Sequence, residues 1–266
     1  MKHGTLGPFE SPPLLDFQLS PLGTITCNCS IMWQLINHLS WPEGNSTNDG
    51  IPDEEGSIKY KSFKSAICLV CCSGQGSLLA KLDLKDAFRN IPVCLHNWHL
   101  WGFHWNAHIY CAIVLMFGIM MVPYIFNLFA ETLHGIIIWH IPGEFHHYLD
   151  NFLLVFPPST SLTMTNNTLA WCQGLGSQLR LYFATKKTVA PWTSLEYLSL
   201  ELDTFVVEAH LPSDKLIFLW DLLNSWLSKH TASLHEVQEL IGFLQFASQV
   251  ILHSCTFSSG GSSNFQ

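Results

Sequence analysis

Apolar residues recur along this chain in two periods, and the switching between them predicts an ordered series of strands and helices. Ser77-Leu-Leu-Ala-Lys-Leu-Asp83 is short and nearly all apolar, which predicts a buried strand. The stretch 62–72 before it has helical spacing and is closed by Gly74-Gln75-Gly76. Asp86 to Asn90 read as a turn of helix, and residues 98–105 and 108–115 as two strands around Asn106-Ala107. A helical pattern runs from Val122 to about Trp139 and stops before Pro142-Gly143. Phe145 to Phe156 predicts two short strands with the polar pair Asp150-Asn151 at the bend. A helix over about 161–178 follows, then strands at 180–185 and 195–207, then amphipathic helices near 213–229 and 233–252.

Upstream, residues 1–30 are rich in Pro and Ser and predict an irregular leader. Trp33 to Leu39 is a short strand candidate, and Trp41 to Gly50 is dense in turn residues. The tail from Ser258 predicts a flexible end. This order of elements indicates an α+β fold with a mixed or antiparallel sheet.

Composition adds a tension. Of 266 residues, 48% are hydrophobic and only 12% charged, about half the usual charged share of a soluble domain. Net charge is −8, from 12 Lys+Arg against 20 Asp+Glu. Alone, that balance argues against binding nucleic acid, because phosphate contacts need basic side chains in number. Residues 109–130 carry no charge and are long enough to span a bilayer, but Gly118, Pro123 and Asn127 interrupt them. A strand, a turn and a buried helix account better for that stretch, so no membrane partner is expected. The nine Cys are odd in number, and no apolar signal region opens the chain, so reduced thiols and an intracellular location are expected. Cys27-x-Cys29 and Cys68-x-x-Cys71-Cys72 lack the second ligand pair that a zinc site needs.

The candidate chemistry lies in two acids. Asp83 ends an apolar strand, and Asp150 sits at the bend of an apolar hairpin. Carboxylates in apolar settings need compensation, and a bound cation is one form of it. On adjacent strands two such groups can hold paired Mg²⁺ ions about 4 Å apart, an arrangement that serves phosphoryl transfer. The alternative from spacing alone is a helix cap at Asp83 and a turn residue at Asp150.

The wording around those acids resembles the reverse transcriptase family. Lys81-Leu-Asp83-Leu-Lys-Asp86-Ala-Phe88 is similar to its first catalytic motif, and His147-Tyr-Leu-Asp150-Asn151 to its Tyr-x-Asp-Asp hairpin. Leu115-Met-Phe117-Gly118 resembles the nucleotide-pocket motif, Lys186-Lys187-Thr188 the downstream lysine motif, and Leu195 to Thr204 the primer grip. Asn37 to Ser40 and Ser46 to Ile51 resemble the fingers, while Leu211 to Leu216 and Glu239 to Phe246 resemble the thumb and the start of a connection. The matches stand in family order over roughly residues 7–255. They are closest to long-terminal-repeat and tyrosine-recombinase (DIRS-like) retrotransposons of fungal genomes.

That resemblance implies a right-hand polymerase fold with an antiparallel palm sheet. It places a leader and partial fingers at 1–78, the palm at 79–207 with a fingers insertion at about 94–120, the thumb and start of a connection at 208–254, and a flexible tail at 255–266. Asp83 and Asp150 would ligate two Mg²⁺ ions, or Mn²⁺, with the Leu84 carbonyl as a third ligand. Asn151 would stand beside them, and Lys187 would protonate the pyrophosphate leaving group. Lys85, Asp86, Ala87, Phe117, Gly118 and Gln34 would belong to the deoxynucleotide pocket, and Phe88 would exclude a 2′-hydroxyl. An RNA or DNA template with its primer is the implied partner. RNase H, integrase and recombinase segments are missing, which suggests part of a polyprotein or a truncated frame.

Several positions depart from the family pattern. Asn151 stands where the family has a second Asp, and brings no charge. Gln34 replaces a basic triphosphate-gripping residue, Met116 a Pro, and Ser199 a primer-grip Gly. An impaired or inactive copy is the expectation.

Overall fold

The computed structural model describes residues 4–26, 33–52, 54 and 58–251. The Cys27-x-Cys29 pair and the tail from residue 255 lie outside the described residues. In chain order the elements are β1 (Thr5–Phe9), β2 (Leu19–Ser20), β3 (Leu22–Thr26), β4 (Trp33–Asn37), α1 (Phe63–Ser73) and β5 (Leu78–Asp83). Next come β6 (Gly102–Trp105), β7 (His108–Ala112), α2 (Val122–Ile138), β8 (Glu144–Tyr148), β9 (Asn151–Phe156) and α3 (Leu162–Gln178). The chain closes with β10 (Val189–Trp192), β11 (Ser194–Tyr197), β12 (Leu200–Asp203), β13 (Glu208–His210), α4 (Ser213–Leu227) and α5 (Leu234–Ile251).

The chain divides into two compact units, with one boundary between Asp83 and Leu84. The first comprises Met1–Tyr60, Leu84–Gly135 and Gly176–Tyr182; the second comprises Lys61–Asp83, Ile136–Leu175 and Phe183–Gln266.

The second unit is built on a fully antiparallel sheet in the order β10-β5-β9-β8. Its centre follows from composition. Phe152 to Phe156 is apolar without interruption and buried throughout, as a strand covered on both faces must be. The helix α1 starts at Ser62, whose hydroxyl accepts from the Ser65 amide, and ends where Gly74 takes φ +95°. It places Phe63, Ala66, Ile67 and Val70 in a core shared with Leu79, Leu153, Val155 and the small sheet β11-β12-β13. Leu219 of α4 and Ala247 and Val250 of α5 complete that core. Thr204, 1% exposed, donates to the Ser77 carbonyl at 2.6 Å and so ties the small sheet to the start of β5.

The first unit holds the sheet β1-β7-β6-β2 and the separate β3–β4 hairpin. Here the expectation of an irregular leader fails. Strand β1 pairs antiparallel with β7, and β2 pairs parallel with β6. These partners lie far away in sequence and bond through the backbone, so no local apolar period announces them.

Three other boundaries shift. The expected strand at 98–105 begins only at Gly102, because Leu95–Leu100 forms a 3₁₀ helix, and the second strand ends at Ala112. The expected strand at 180–185 is a helix termination instead: Arg180 takes φ +59° and the Leu181 amide bonds back to the Gly176 carbonyl. The expected strand at 195–207 is a hairpin, with Leu198 and Ser199 both at positive φ between the paired Tyr197 and Leu200. Asp203 then ends β12 by accepting from the Phe205 and Val206 amides. No helix among the described residues is long and apolar enough to cross a membrane.

Ser199 holds φ +67° without the freedom of glycine. Ser199→Gly is expected to raise stability by about 1 kcal/mol, the usual strain of a side chain in the left-handed region. Urea unfolding followed by circular dichroism measures it, and an unchanged midpoint would contradict the strain.

Candidate active site

The acid residues meet because of strand register. Asp83, the last residue of β5, pairs directly with Asn151, the first residue of β9, while Leu149 and Asp150 form the turn from β8. Leu149 takes φ +51°, which tightens that turn. Asp83 is only 5% exposed. The Lys187 ammonium lies 3.0 and 3.2 Å from its two carboxylate oxygens and reaches them from a turn after Ala184. The Ala184 amide also donates to the Asp83 carbonyl at 2.7 Å, so both backbone and side chain of Asp83 are fixed by one downstream segment. Asn151 donates through its side-chain amide to Asp150 at 3.2 Å. Burial, and then the neighbouring Asp83 charge, push the Asp150 carboxyl above its ordinary range.

These four residues therefore form one cluster of two acids, one amide and one ammonium. Among the described residues no group of three or more His, Cys, Asp or Glu side chains is arranged to hold a metal ion. The donor chemistry nevertheless suits a hard divalent cation, since the two carboxylates lie close enough for the Asp83 charge to act on Asp150. It supplies two anionic donors and one neutral neighbour, a weaker set than three acids.

The remaining predicted positions lie in the first unit. Leu84, next after Asp83, is buried. The Lys85 amide donates to the Tyr182 carbonyl at 2.8 Å, and the Lys85 carbonyl accepts from Asn90. Asp86 takes φ +51° at the entrance to a 3₁₀ turn, Ala87–Asn90, so its role is a left-handed corner. Phe88 packs edge-on against Phe117 at 5.0 Å and against Phe126 at 5.4 Å. Gly118 takes φ +116°, and a Cβ there would stand 1.9 Å from the Asn37 carbonyl oxygen, so only glycine fits. Phe88, Phe117 and Gly118 are thus brought into one neighbourhood. Gln34 lies in β4 with its backbone paired to Ile25, and its side chain is outside the description.

Sequence reasoning missed two supports. Asn48 clamps the 118–120 loop, donating to the Gly118 carbonyl at 2.8 Å and accepting from the Met120 amide at 3.1 Å. Its signal was present in the Ser46 to Ile51 motif, but nothing local says what it holds. The second is Tyr197, whose hydroxyl reaches the Asn151 carbonyl at 3.3 Å.

A family model described as reverse transcriptase (RNA-dependent DNA polymerase) matches residues 21–202. Among solved structures, the foamy viral protease-reverse transcriptase dRH in complex with dsDNA is similar at TM-score 0.67 and 15% identity, covering 92% of this chain and 40% of that one. The foamy viral protease-reverse transcriptase with an RNA/DNA hybrid is similar at TM-score 0.59 and 16% identity, covering 92% of this chain and 31% of that one. At these identities the likeness shows a shared fold, α+β with antiparallel sheets as in right-hand polymerases. The chain spans less than half the length of these proteins. No curated protein sequence matches it.

The raised Asp150 carboxyl has a consequence for stability. Its folded form binds a proton more readily than its unfolded form, so stability is lost as pH rises from the ordinary aspartate range through the folded value. In chelator, Asp150→Asn is expected to raise the melting temperature at pH 7, with the gain vanishing below pH 3.8, the ordinary value. A gain independent of pH would contradict the assigned cause.

Proposed function

Because the chain belongs to the reverse transcriptase (RNA-dependent DNA polymerase) family, we propose that it is a retroelement-derived polymerase core, of LTR or DIRS-like type as in fungal genomes, whose nucleotidyl transfer is impaired. The observation that carries this is the pairing of buried Asp83 with the Asp150-Asn151 turn, capped by Lys187. In this reading the palm spans 79–207 with a fingers insertion at about 94–120, fingers elements lie within 1–78, and the thumb spans 208–254.

Members of the family use divalent metal ions. Asp83 and Asp150 are the residues that would hold Mg²⁺ or Mn²⁺ here, with the Leu84 carbonyl following directly in the chain. When bound, the metal supplies charge stabilisation for the attacking and leaving oxygens. The protein's own contributions are separate. Lys187 carries an ammonium at Asp83 and, by the resemblance, would give a proton to the departing pyrophosphate. By the resemblance, backbone amides near Asp86 and Ala87 would hold the triphosphate, while the Lys85 amide is taken by the Tyr182 carbonyl. Phe88, which packs edge-on against Phe117 and Phe126, would be the residue that excludes a 2′-hydroxyl. Primed RNA or DNA template is the proposed partner, inside the cell.

Impairment rests on Asn151 and Gln34. The first removes a negative charge next to Asp150, and the second removes the charge-assisted grip on phosphate that a basic residue supplies. A second reading, a non-catalytic nucleic-acid or partner-binding fold, is favoured by the net charge of −8.

Primer extension on poly(rA)/oligo(dT) with Mg²⁺ or Mn²⁺ separates the two. Weak extension is expected from the chain, with Asn151→Asp plus Gln34→Arg raising it and Asp83→Ala lowering it at least about 100-fold. Extension untouched by Asp83→Ala would defeat the assignment, and no extension by the double variant would favour the binding fold. In the active double variant, Phe88→Val is expected to relax discrimination against ribonucleotides by about tenfold or more, measured as the ratio of kcat/KM for dATP and ATP on poly(dT).

A further inference from the structure

His146 occupies an unexpected place. It lies in β8, opposite Leu153, in a strand whose neighbours are buried, and is itself 1% exposed. Its ring stands between two elements. Nε2 is 2.8 Å from the Ser65 hydroxyl on α1, and Nδ1 is 2.9 Å from the Tyr197 hydroxyl on β11. The hydroxyl of fully buried Tyr197 is also 3.3 Å from the Asn151 carbonyl. Four elements of one unit are thereby joined into a single line ending beside the acid turn: α1, β8, β11 and β9.

Counting hydrogens gives the line a direction. The Ser65 hydroxyl is 2.6 Å from the Ser62 carbonyl and 2.8 Å from Nε2, and assigning its hydrogen to the shorter contact makes its oxygen the acceptor for His146. In that assignment the imidazole hydrogen sits on Nε2 and Nδ1 accepts from the Tyr197 hydroxyl. The one hydrogen of Tyr197 then faces two acceptors, Nδ1 and the Asn151 carbonyl, in a three-centre bond weighted toward the shorter contact. Burial, and then the Asp150 charge, push the Tyr197 hydroxyl well above its ordinary range, so it stays protonated and able to donate.

We propose that Tyr197 and His146 are positioning residues for the acid turn, with Tyr197 tethering the Asn151 carbonyl and His146 fixing where the Tyr197 hydroxyl points. Asn151 is the hinge of this arrangement. Its backbone pairs with Asp83 on one side and Tyr148 on the other, and it follows Asp150 directly. A slack tether there lets Asp150 drift from Asp83 while leaving the core packed. The inference rests on the reading of Asp83 and Asp150 as cation-holding acids, and it adds residues that touch neither cation nor substrate.

The test is Mn²⁺ binding to the full chain, followed by the electron paramagnetic resonance of free Mn²⁺, for the parent chain, Tyr197→Phe and Asp150→Asn. Tyr197→Phe keeps the ring and its packing and removes only the hydroxyl. Its Mn²⁺ affinity is expected to fall about tenfold, the low end for an outer partner of a ligand group, with an unfolding midpoint near that of the parent. Asp150→Asn is expected to abolish specific binding. Equal binding by the parent and Tyr197→Phe, with Asp150→Asn defective, overturns the positioning role alone. Equal binding by the parent and Asp150→Asn, or none by either, overturns the acid-site reading and the inference with it. Imidazole ¹⁵N shifts give a readout that packing alone does not move. They are expected to place the His146 hydrogen on Nε2 and to change at Nδ1 in Tyr197→Phe; a hydrogen on Nδ1 in the parent chain overturns the proposed direction.

Discussion

The antiparallel pairing of β5 with β9 is the constraint on which the acid cluster depends. Both strands are apolar nearly to their ends, and the fully buried face of β5 formed by Ala80 and Leu82 fixes the register. Because side chains alternate with a period of two, a slip of one residue would turn Lys81 and Asp83 of β5 to the face now held by Ala80 and Leu82. The register that satisfies the core also sets Asp83 opposite Asn151. The acids are therefore placed by hydrophobic burial, against their own mutual repulsion, and the surrounding polar contacts follow from that imposed closeness. Lys187 answers Asp83, the Asn151 amide answers Asp150, and the Ala184 amide holds the Asp83 carbonyl.

How legible this was in the sequence depends on the range of the interaction. The central strands, α1, α2, α3 and the last two helices follow from local apolar period, and the ends of α1 and α2 from Gly74 and Pro142-Gly143. The N-terminal strands did not follow, because β1 and β2 find partners about a hundred residues away through backbone groups that every sequence carries. The turn at Leu198-Ser199 was hidden for another reason: the residue that would announce it, glycine, is absent. In the site, Asp83 and Asp150 stood out as charges in apolar runs. The contact between Lys187 and Asp83 spans 104 positions, and only the resemblance brought that lysine forward. His146 was passed over because a histidine in an apolar strand gives no sign of whether it packs or bonds.

Where the resemblance breaks, Asn151 and Gln34 exchange charge, Ser199 sits in a turn and Met116 is a buried apolar residue. Asn151 preserves the shape of an aspartate and can still bond to Asp150, so the hairpin closes without the charge. Phe88, Phe117 and Phe126 keep a braced aromatic group. Fold and chemistry thus respond to different residues, which is why the family is plain from the sequence while turnover is a matter for assay.

The contact between Lys187 and Asp83 has one more consequence. The carboxylate is buried and the ammonium side chain is 65% exposed, so one partner keeps most of its hydration while the other has surrendered it. At 3.0 Å the pair is far closer than the Debye length of about 8 Å at physiological salt. Buffer ions thin the field of the acidic surface but barely reach between these two atoms. Lys187 thus behaves as a tethered counter-ion whose local concentration is set by chain geometry and not by the medium.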